Sequence, residues 1–502
     1  MAYQQYLEQI RAINDQFRYY KTIESLFELD QWSALPPEGG AYRQQVAAHV
    51  AQQKAALFAG PDVKRAADYF RSADLSDIGD EVERGLIRSF LFRYRNLTGT
   101  PAELTRQYSL LRAETMNQWK QAREARDFQI FRPWLEQVFS LKKQIALAID
   151  PERPAFDTLV GLSDEGADCG EIDREFHRLK AGLQELLARI RAGGIRPDSV
   201  PLQATGSPEA VERFARRLAL ESGYDQRRGG FNNRVIHGFT SFLGPRDARV
   251  STGGSDSFHL IFTYLHEAGH AMYASGGSDR VNAANMWGGI EGGFHEAMAR
   301  FNENMVGRSK AYWTFYYPQL QREFPQFRDV PLDQFYRAVN EVRPSLRRIA
   351  ADEVTYSLHV ILRYELERDY FSGRIAVEDL AELWNEKSEQ YLGVRPADDT
   401  EGVLQDMHWA GDYIGYFQSY ALGNIYGGQM LQVLRRDIPD LDQQLEQGRF
   451  EALNLWLDRN VRQYGCCYTA GELIQKVSGS SLDARPFLAY LEEKYSELYS
   501  LT

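Results

Sequence analysis

Residues 257–275 read SFHLIFTYLHEAGHAMYAS, and the way this stretch folds decides how the rest is read. Phe258, Ile261, Leu265 and Met272 recur at helical spacing, the pattern of one buried stripe. Between them, His266-Glu267-Ala268-Gly269-His270 is an HExxH motif. Residues four apart share a helix face, so both imidazoles reach one metal ion while Glu267 stands beside it. In a chain with nine histidines, a chance HExxH is expected on the order of 0.01 times. The stretch therefore predicts a helix carrying two metal ligands and a general base.

Two imidazoles do not complete a catalytic zinc site, which needs a third protein ligand and an open position. The metzincin extension would require Gly at 273 and His at 276, where the chain has Tyr273 and Gly276. The third ligand is therefore expected to be a carboxylate on a following helix: Glu291, Glu296 or Glu303. Glu291 stands beside Gly292-Gly293, near a helix start. Glu296 lies one turn inside the helical pattern Phe294-His295-Glu296-Ala297-Met298-Ala299-Arg300-Phe301.

Outward from this segment, helical periodicity covers 1–30, 41–75, 82–96, 102–125, 129–149, 171–192, 208–222 and 292–308, then most of 332–502. Leu35-Pro36-Pro37-Glu38-Gly39-Gly40 is a turn. The Gly-, Arg- and Asn-rich stretch 223–256 has short alternating segments and is the place for a small β-sheet just before the HExxH helix. No linker or repeat divides the chain, so residues 1–502 are expected to form one mainly α body. A net charge of −12 argues against a nucleic-acid or anionic-membrane surface. Cys169, Cys466 and Cys467 form neither a disulfide framework nor a metal spacing, which favours a reducing compartment. The start lacks the apolar region of a signal peptide, and no apolar run approaches the ~18 residues of a membrane span. The expectation is a soluble, cytoplasmic protein.

Taken together, these segments resemble the M32 metallocarboxypeptidase family, of the thermostable carboxypeptidase Taq type. His295-Glu296-Ala297 stands where that family has its HES-type motif, and Asn302-Glu303-Asn304-Met305-Val306-Gly307-Arg308-Ser309 continues the likeness. The GxxQDxHW motif is intact as Gly402-Val403-Leu404-Gln405-Asp406-Met407-His408-Trp409, followed by Gly415-Tyr416-Phe417-Gln418-Ser419-Tyr420. Asp30-Gln31-Trp32 with Pro36-Pro37, and Phe487 to Tyr495, extend the likeness over essentially the whole chain. The family's HPF motif reads His237-Gly238-Phe239, its DxRxT reads Asp247-Ala248-Arg249-Val250-Ser251, and its I/V-R-x-x-A-D begins with Arg347. Gly253-Gly254 stands where an Arg-Tyr pair is common, in a stretch about two residues shorter than usual. These departures leave the metal centre intact and bear on substrate grip.

The resemblance implies a zincin-like helical body with a deep substrate groove, and a homodimer. It implies zinc (cobalt or manganese substituting) on His266, His270 and Glu296, with Glu267 as general base toward metal-bound water. Tyr420 or His408 is implied as oxyanion donor. An exopeptidase must also bind a free terminal carboxylate, which suits arginine's planar fork. Arg348 is the first choice, read on a helix face near Arg343 and Glu353; Arg249 is the second, and His237 a further substrate contact. Asp352 and Asp406 are expected to orient neighbours. The activity expected is removal of single C-terminal residues from peptides with broad preference. The alternatives are an oligopeptidase that cuts internally, or a degenerate peptide-binding scaffold, against which the retained Glu267 counts.

Overall fold

The periodic segments become helices in the computed structural model, which describes residues 2–74, 78–197, 202 and 205–501 and, within these, all side chains but Pro37, Ala113, Ile236 and His237. Helix α1 (Ala2–Ser33) leads through the expected turn into α2 (Gly40–Ala56) and α3 (Pro61–Arg71). The single helix expected over 41–75 is thus two. Pro61 has no N–H with which to continue α2, and its fixed φ suits the first position of α3. Helix α4 (Glu81–Gly99) starts at Asp80, whose carboxylate accepts from the amides of Val82 and Glu83, a cap worth about 1 kcal/mol. Its stripe of Val82, Leu86 and Phe90 packs on Leu7, Ile10, Phe58 and Phe70 in an apolar cluster of its own.

Helices α5 (Ala102–Ala125), α6 (Phe128–Ile149), α7 (Ala155–Ser163), α8 (Cys169–Ala192) and α9 (Pro208–Glu221) follow. The sequence pattern misses α7. This helix buries Phe156, Thr158, Leu159 and Val160 on several sides, so it shows no amphipathic period.

The sheet forms where it is expected. Strands β1 (Phe231–Asn232), β2 (Arg234–Gly244) and β3 (Asp247–Gly253) lie in the order β1-β3-β2. β2 and β3 are an antiparallel hairpin with Thr240 opposite Val250 and Phe242 opposite Ala248, while β1 runs parallel to β3. On β2 the alternation of side chains turns Thr240 toward the next helix and Phe242 toward His295.

That next helix is α10 (Leu260–Ala274), which carries the HExxH motif. Ile261, Leu265 and Met272 are buried in the main core together with Phe258 just before it, as the spacing predicts. Truncating Leu265, which has no exposed surface, to alanine costs roughly 2–5 kcal/mol. Helices α11 (Asp279–Ala283) and α12 (Gly293–Arg300) come next, and α12 runs into a π-helical turn over Phe301–Val306. The helix expected over 292–308 therefore changes pitch in its middle, a feature that recurs at functional sites.

The remainder comprises α13 (Lys310–Glu323), α14 (Leu332–Val339), α15 (Tyr356–Phe371), α16 (Leu380–Leu392), α17 (Gln418–Asp437), α18 (Leu441–Leu445), α19 (Glu451–Asn460), α20 (Ala470–Ser478) and α21 (Arg485–Tyr499). Two breaks interrupt this region. Residues 340–355 hold one 3-10 turn, Arg348–Ala350, and a further turn at 353–355, and 393–417 is a succession of turns. Among the described residues, no helix is long and apolar enough to cross a membrane.

Candidate active site

His266 and His270 stand one helical turn apart on α10, with ring centroids 4.9 Å apart. Each ring has its Nδ1 engaged behind it. Nδ1 of His266 lies 3.0 Å from Oε2 of Glu303, in the π-helical turn after α12. Nδ1 of His270 lies 2.7 Å from Nδ1 of His295. This leaves the Nε2 atoms of both rings for a shared ligand. Glu296 reaches the same place from α12: its Oε2 is 3.9 Å from Nε2 of His270, while its Oε1 accepts from Nε of Arg300 at 2.8 Å. The ligand atoms of His266, His270 and Glu296 lie within 4.8 Å of one another, and their side chains keep 18%, 17% and 10% exposure. Two imidazole nitrogens and one carboxylate oxygen converge at a solvent-accessible spot and could hold one metal ion. Glu291 is exposed outside this group.

Glu267 is buried beside the trio, and Oγ1 of Thr240 donates to its Oε2 at 2.7 Å. Burial pushes the Glu267 carboxyl above the usual carboxylate range, against the pull of His266 and the Thr240 hydrogen bond. Burial alone would lower His266, but the Glu303 hydrogen bond and the charges of Glu296, Glu303 and Glu267 outweigh it and raise the ring to about 9. His270 and His295 move the other way, chiefly through burial, His295 down to about 4.

One buried carboxylate fixes the elements that deliver these groups. Asp164 accepts from the amide of Gly293 at 2.6 Å, from Oγ of Ser419 at 2.7 Å and from Nε2 of Gln418 at 2.9 Å. It thereby ties the start of α12 to the start of α17. Gly423 of α17 rests against Glu296, so closely that a Cβ there would stand 2.8 Å from its Cγ. Tyr420, one turn earlier on α17, is thus brought near the metal trio.

The sequence model described as Carboxypeptidase Taq (M32) metallopeptidase matches residues 9–495 of the chain. The chain belongs to the M32 metallocarboxypeptidase family. It is accordingly a metal-dependent hydrolase of peptide bonds. It is 34% identical to Carboxypeptidase 1 of Bacillus subtilis, over 96% of both chains. It is also 34% identical to Thermostable carboxypeptidase 1 of Thermus thermophilus, over 99% of both. Its fold matches that of the M32 carboxypeptidase from Deinococcus radiodurans R1 with a TM-score of 0.92 at 33% identity, covering 99% of each chain.

The other residues read from the M32 motifs fall into two places. Arg348 is not on a helix face but in the short 3-10 turn, buried. Its partners are neither Arg343 nor Glu353, which pairs with Lys494. Nε and Nη2 of Arg348 instead grip Asp406 at 3.0 and 3.1 Å, and Nη1 donates to the phenol of Tyr356 at 2.9 Å. Gln405 accepts from the Arg348 amide and donates to the carbonyl of Leu346, locking the two breaks together. Asp406 also faces Arg363 at 3.6 Å, so two guanidinium groups hold its carboxyl well below the usual range against burial. Asp352 accepts from the amides of Arg343, Val354 and Thr355, which shapes the approach to α15.

A chain of contacts links this pair to the metal trio. The Arg300 guanidinium, bound to Glu296, lies 3.8 Å over the ring of Tyr356, whose phenol meets Arg348. Nε2 of His408 is 3.1 Å from the Tyr420 hydroxyl, and burial and Arg363 push that histidine down to about 3. Arg249 lies elsewhere: exposed on β3 and bidentate on Asp247, it lines a surface cavity with Leu29, Ser33 and Phe231 that includes none of the metal trio. His237 is on β2, and its side chain lies outside the described residues.

Proposed function

We propose that the chain is a zinc-dependent carboxypeptidase that removes C-terminal residues from peptides with broad preference. The observation that carries this reading is the convergence of His266, His270 and Glu296, with Glu267 held beside them by Thr240. Zinc on those three residues, or cobalt or manganese in its place, would supply a Lewis acid for the scissile carbonyl and lower the pKa of the attacking water. Glu267 takes the water's proton and passes it to the leaving amine, a role that its burial beside the trio and its hydrogen bond from Thr240 support.

Tyr420, whose hydroxyl lies 3.1 Å from Nε2 of His408, is the donor to the developing oxyanion in this reading. Arg348 has five N–H groups, of which three are engaged by Asp406 and Tyr356. The remaining two, one on each Nη, form the outer fork that takes the terminal carboxylate. Asp406 fixes the plane of that fork. Arg249 and His237 are secondary substrate contacts in the same reading. Family resemblance supports a homodimer, which light scattering tests against the 57.6 kDa monomer mass. The three free cysteines support a cytoplasmic, reducing location.

Incubation with a free-acid peptide and its C-terminally amidated twin, with products read by mass spectrometry, tests the activity. Stepwise loss of single residues from the free acid alone is expected. Internal fragments from both peptides would instead make the chain an oligopeptidase.

A further inference from the structure

The two imidazoles of α10 are backed by different chemistry. His266 meets the carboxylate of Glu303, the partner a metal-bound imidazole commonly has. His270 meets another imidazole: its Nδ1 is 2.7 Å from Nδ1 of His295, whose Nε2 is 3.1 Å from the carbonyl oxygen of Gly288. A carbonyl only accepts, so Nε2 of His295 carries the hydrogen. Nδ1 of the neutral ring is then an acceptor, and Nδ1 of His270 must donate to it. The lone pair of His270 is thereby confined to Nε2, the atom that faces Glu296 at 3.9 Å. The order of protons that satisfies this chain is the one a metal ligand needs.

The surroundings hold His295 to that task. Phe242 stacks on the ring at 4.7 Å and 27°, and Tyr273 stands edge-on at 5.0 Å. The Tyr273 hydroxyl also accepts from the amide of Ile290, tying the loop that bears Gly288 to α10 itself. Gly288, whose carbonyl meets His295, has φ of 98°, a conformation glycine adopts without penalty.

We infer that His295 is a positioning residue of the metal centre, holding His270 in its Nε2-ligating tautomer through an imidazole-to-imidazole hydrogen bond anchored on the Gly288 carbonyl. This rests on the reading of His266, His270 and Glu296 as the metal site. The variant His295→Phe keeps a ring to stack on Phe242 but has no acceptor. In His295→Asn, Oδ1 takes the place of Nδ1 and restores the acceptor.

The test is the zinc affinity of the metal-free proteins, measured by competition with a chromophoric chelator, with thermal unfolding of each metal-free variant as the control for folding. His295→Phe is expected to weaken zinc binding by about 10–100-fold, and His295→Asn to recover most of that loss. Should the phenylalanine variant fail to fold, His295→Ala takes its place in the comparison with asparagine. The inference is overturned if the variant without an acceptor binds zinc like the parent, or if asparagine binds no better than it. His270→Ala separates the two levels: parent-like affinity there would overturn the metal site itself.

Discussion

The hydroxyl of Thr240 donates to Oε2 of Glu267 at 2.7 Å, so a strand residue fixes the carboxylate that the HExxH helix brings to the metal trio. Glu267→Gln keeps the shape but cannot accept a proton, and is expected to retain metal while losing roughly 10²–10⁴-fold in kcat. Thr240→Val removes the hydroxyl that meets both Oε2 and the backbone oxygen of Glu267; with a bond to a charged acceptor worth about 1.5–3 kcal/mol, it is expected to lower kcat by roughly tenfold or more with KM little changed. Thr240→Ser should restore most of it. Steady-state kinetics on one peptide decides; a Glu267→Gln enzyme with near-parental kcat removes the general base.

The third ligand is tested by metal content. Glu296→Ala leaves two imidazoles, too weak a set to hold zinc through dialysis, whereas Glu291→Ala changes an exposed residue outside the trio. Low occupancy is expected for the first and full occupancy for the second. The reverse pattern would make Glu291 the ligand.

Metal uptake should depend on pH with a definite sign. In the metal-free protein the surrounding carboxylates raise His266 to about 9, so below that pH its imidazolium must lose a proton before it can bind metal. Apparent zinc affinity is expected to rise with pH up to about 9, with about one proton released from this residue per metal bound. Glu303→Gln weakens the partner that retains the proton, and should flatten the rise between pH 7 and about 9. An unchanged slope in that variant would contradict this assignment.

Much of this site is legible in the sequence because helical spacing is local. His266, Glu267 and His270 follow from one turn of helix, while Glu296 is one of three carboxylates that spacing offers and the family resemblance singles out. The partners behind them are not local. Glu303, seven residues beyond Glu296, is offered by spacing only as a rival ligand; from within the π-helical turn it meets Nδ1 of His266 instead. Thr240 sits on a strand that no periodicity connects to α10. Arg348 reads as part of a charged helix, yet Pro344 disfavours helix at the residue before it, and the guanidinium is buried on Asp406, a residue from the other break. The helix pattern over 41–75 similarly outruns Pro61. Arg348, Asp406 and His408 lie in those two breaks, where helical reading has least to offer.

Whether this metal centre works on peptide C-termini turns on Arg348. Arg348→Lys keeps a positive charge beside Asp406 but lacks the planar fork. The measurement is kcat/KM for a free-acid peptide and its amidated twin in the parent and in Arg348→Lys, with Arg249→Ala alongside. A fall of roughly ten- to a hundredfold on the free acid is expected, from the loss of a charged contact of about 1.5–3 kcal/mol. The amidated peptide should be a poor substrate for the parent and almost indifferent to the change, and Arg249→Ala should cost less than Arg348→Lys on the free acid. Equal losses on both peptides, or a larger loss at Arg249, would remove Arg348 from the carboxylate site.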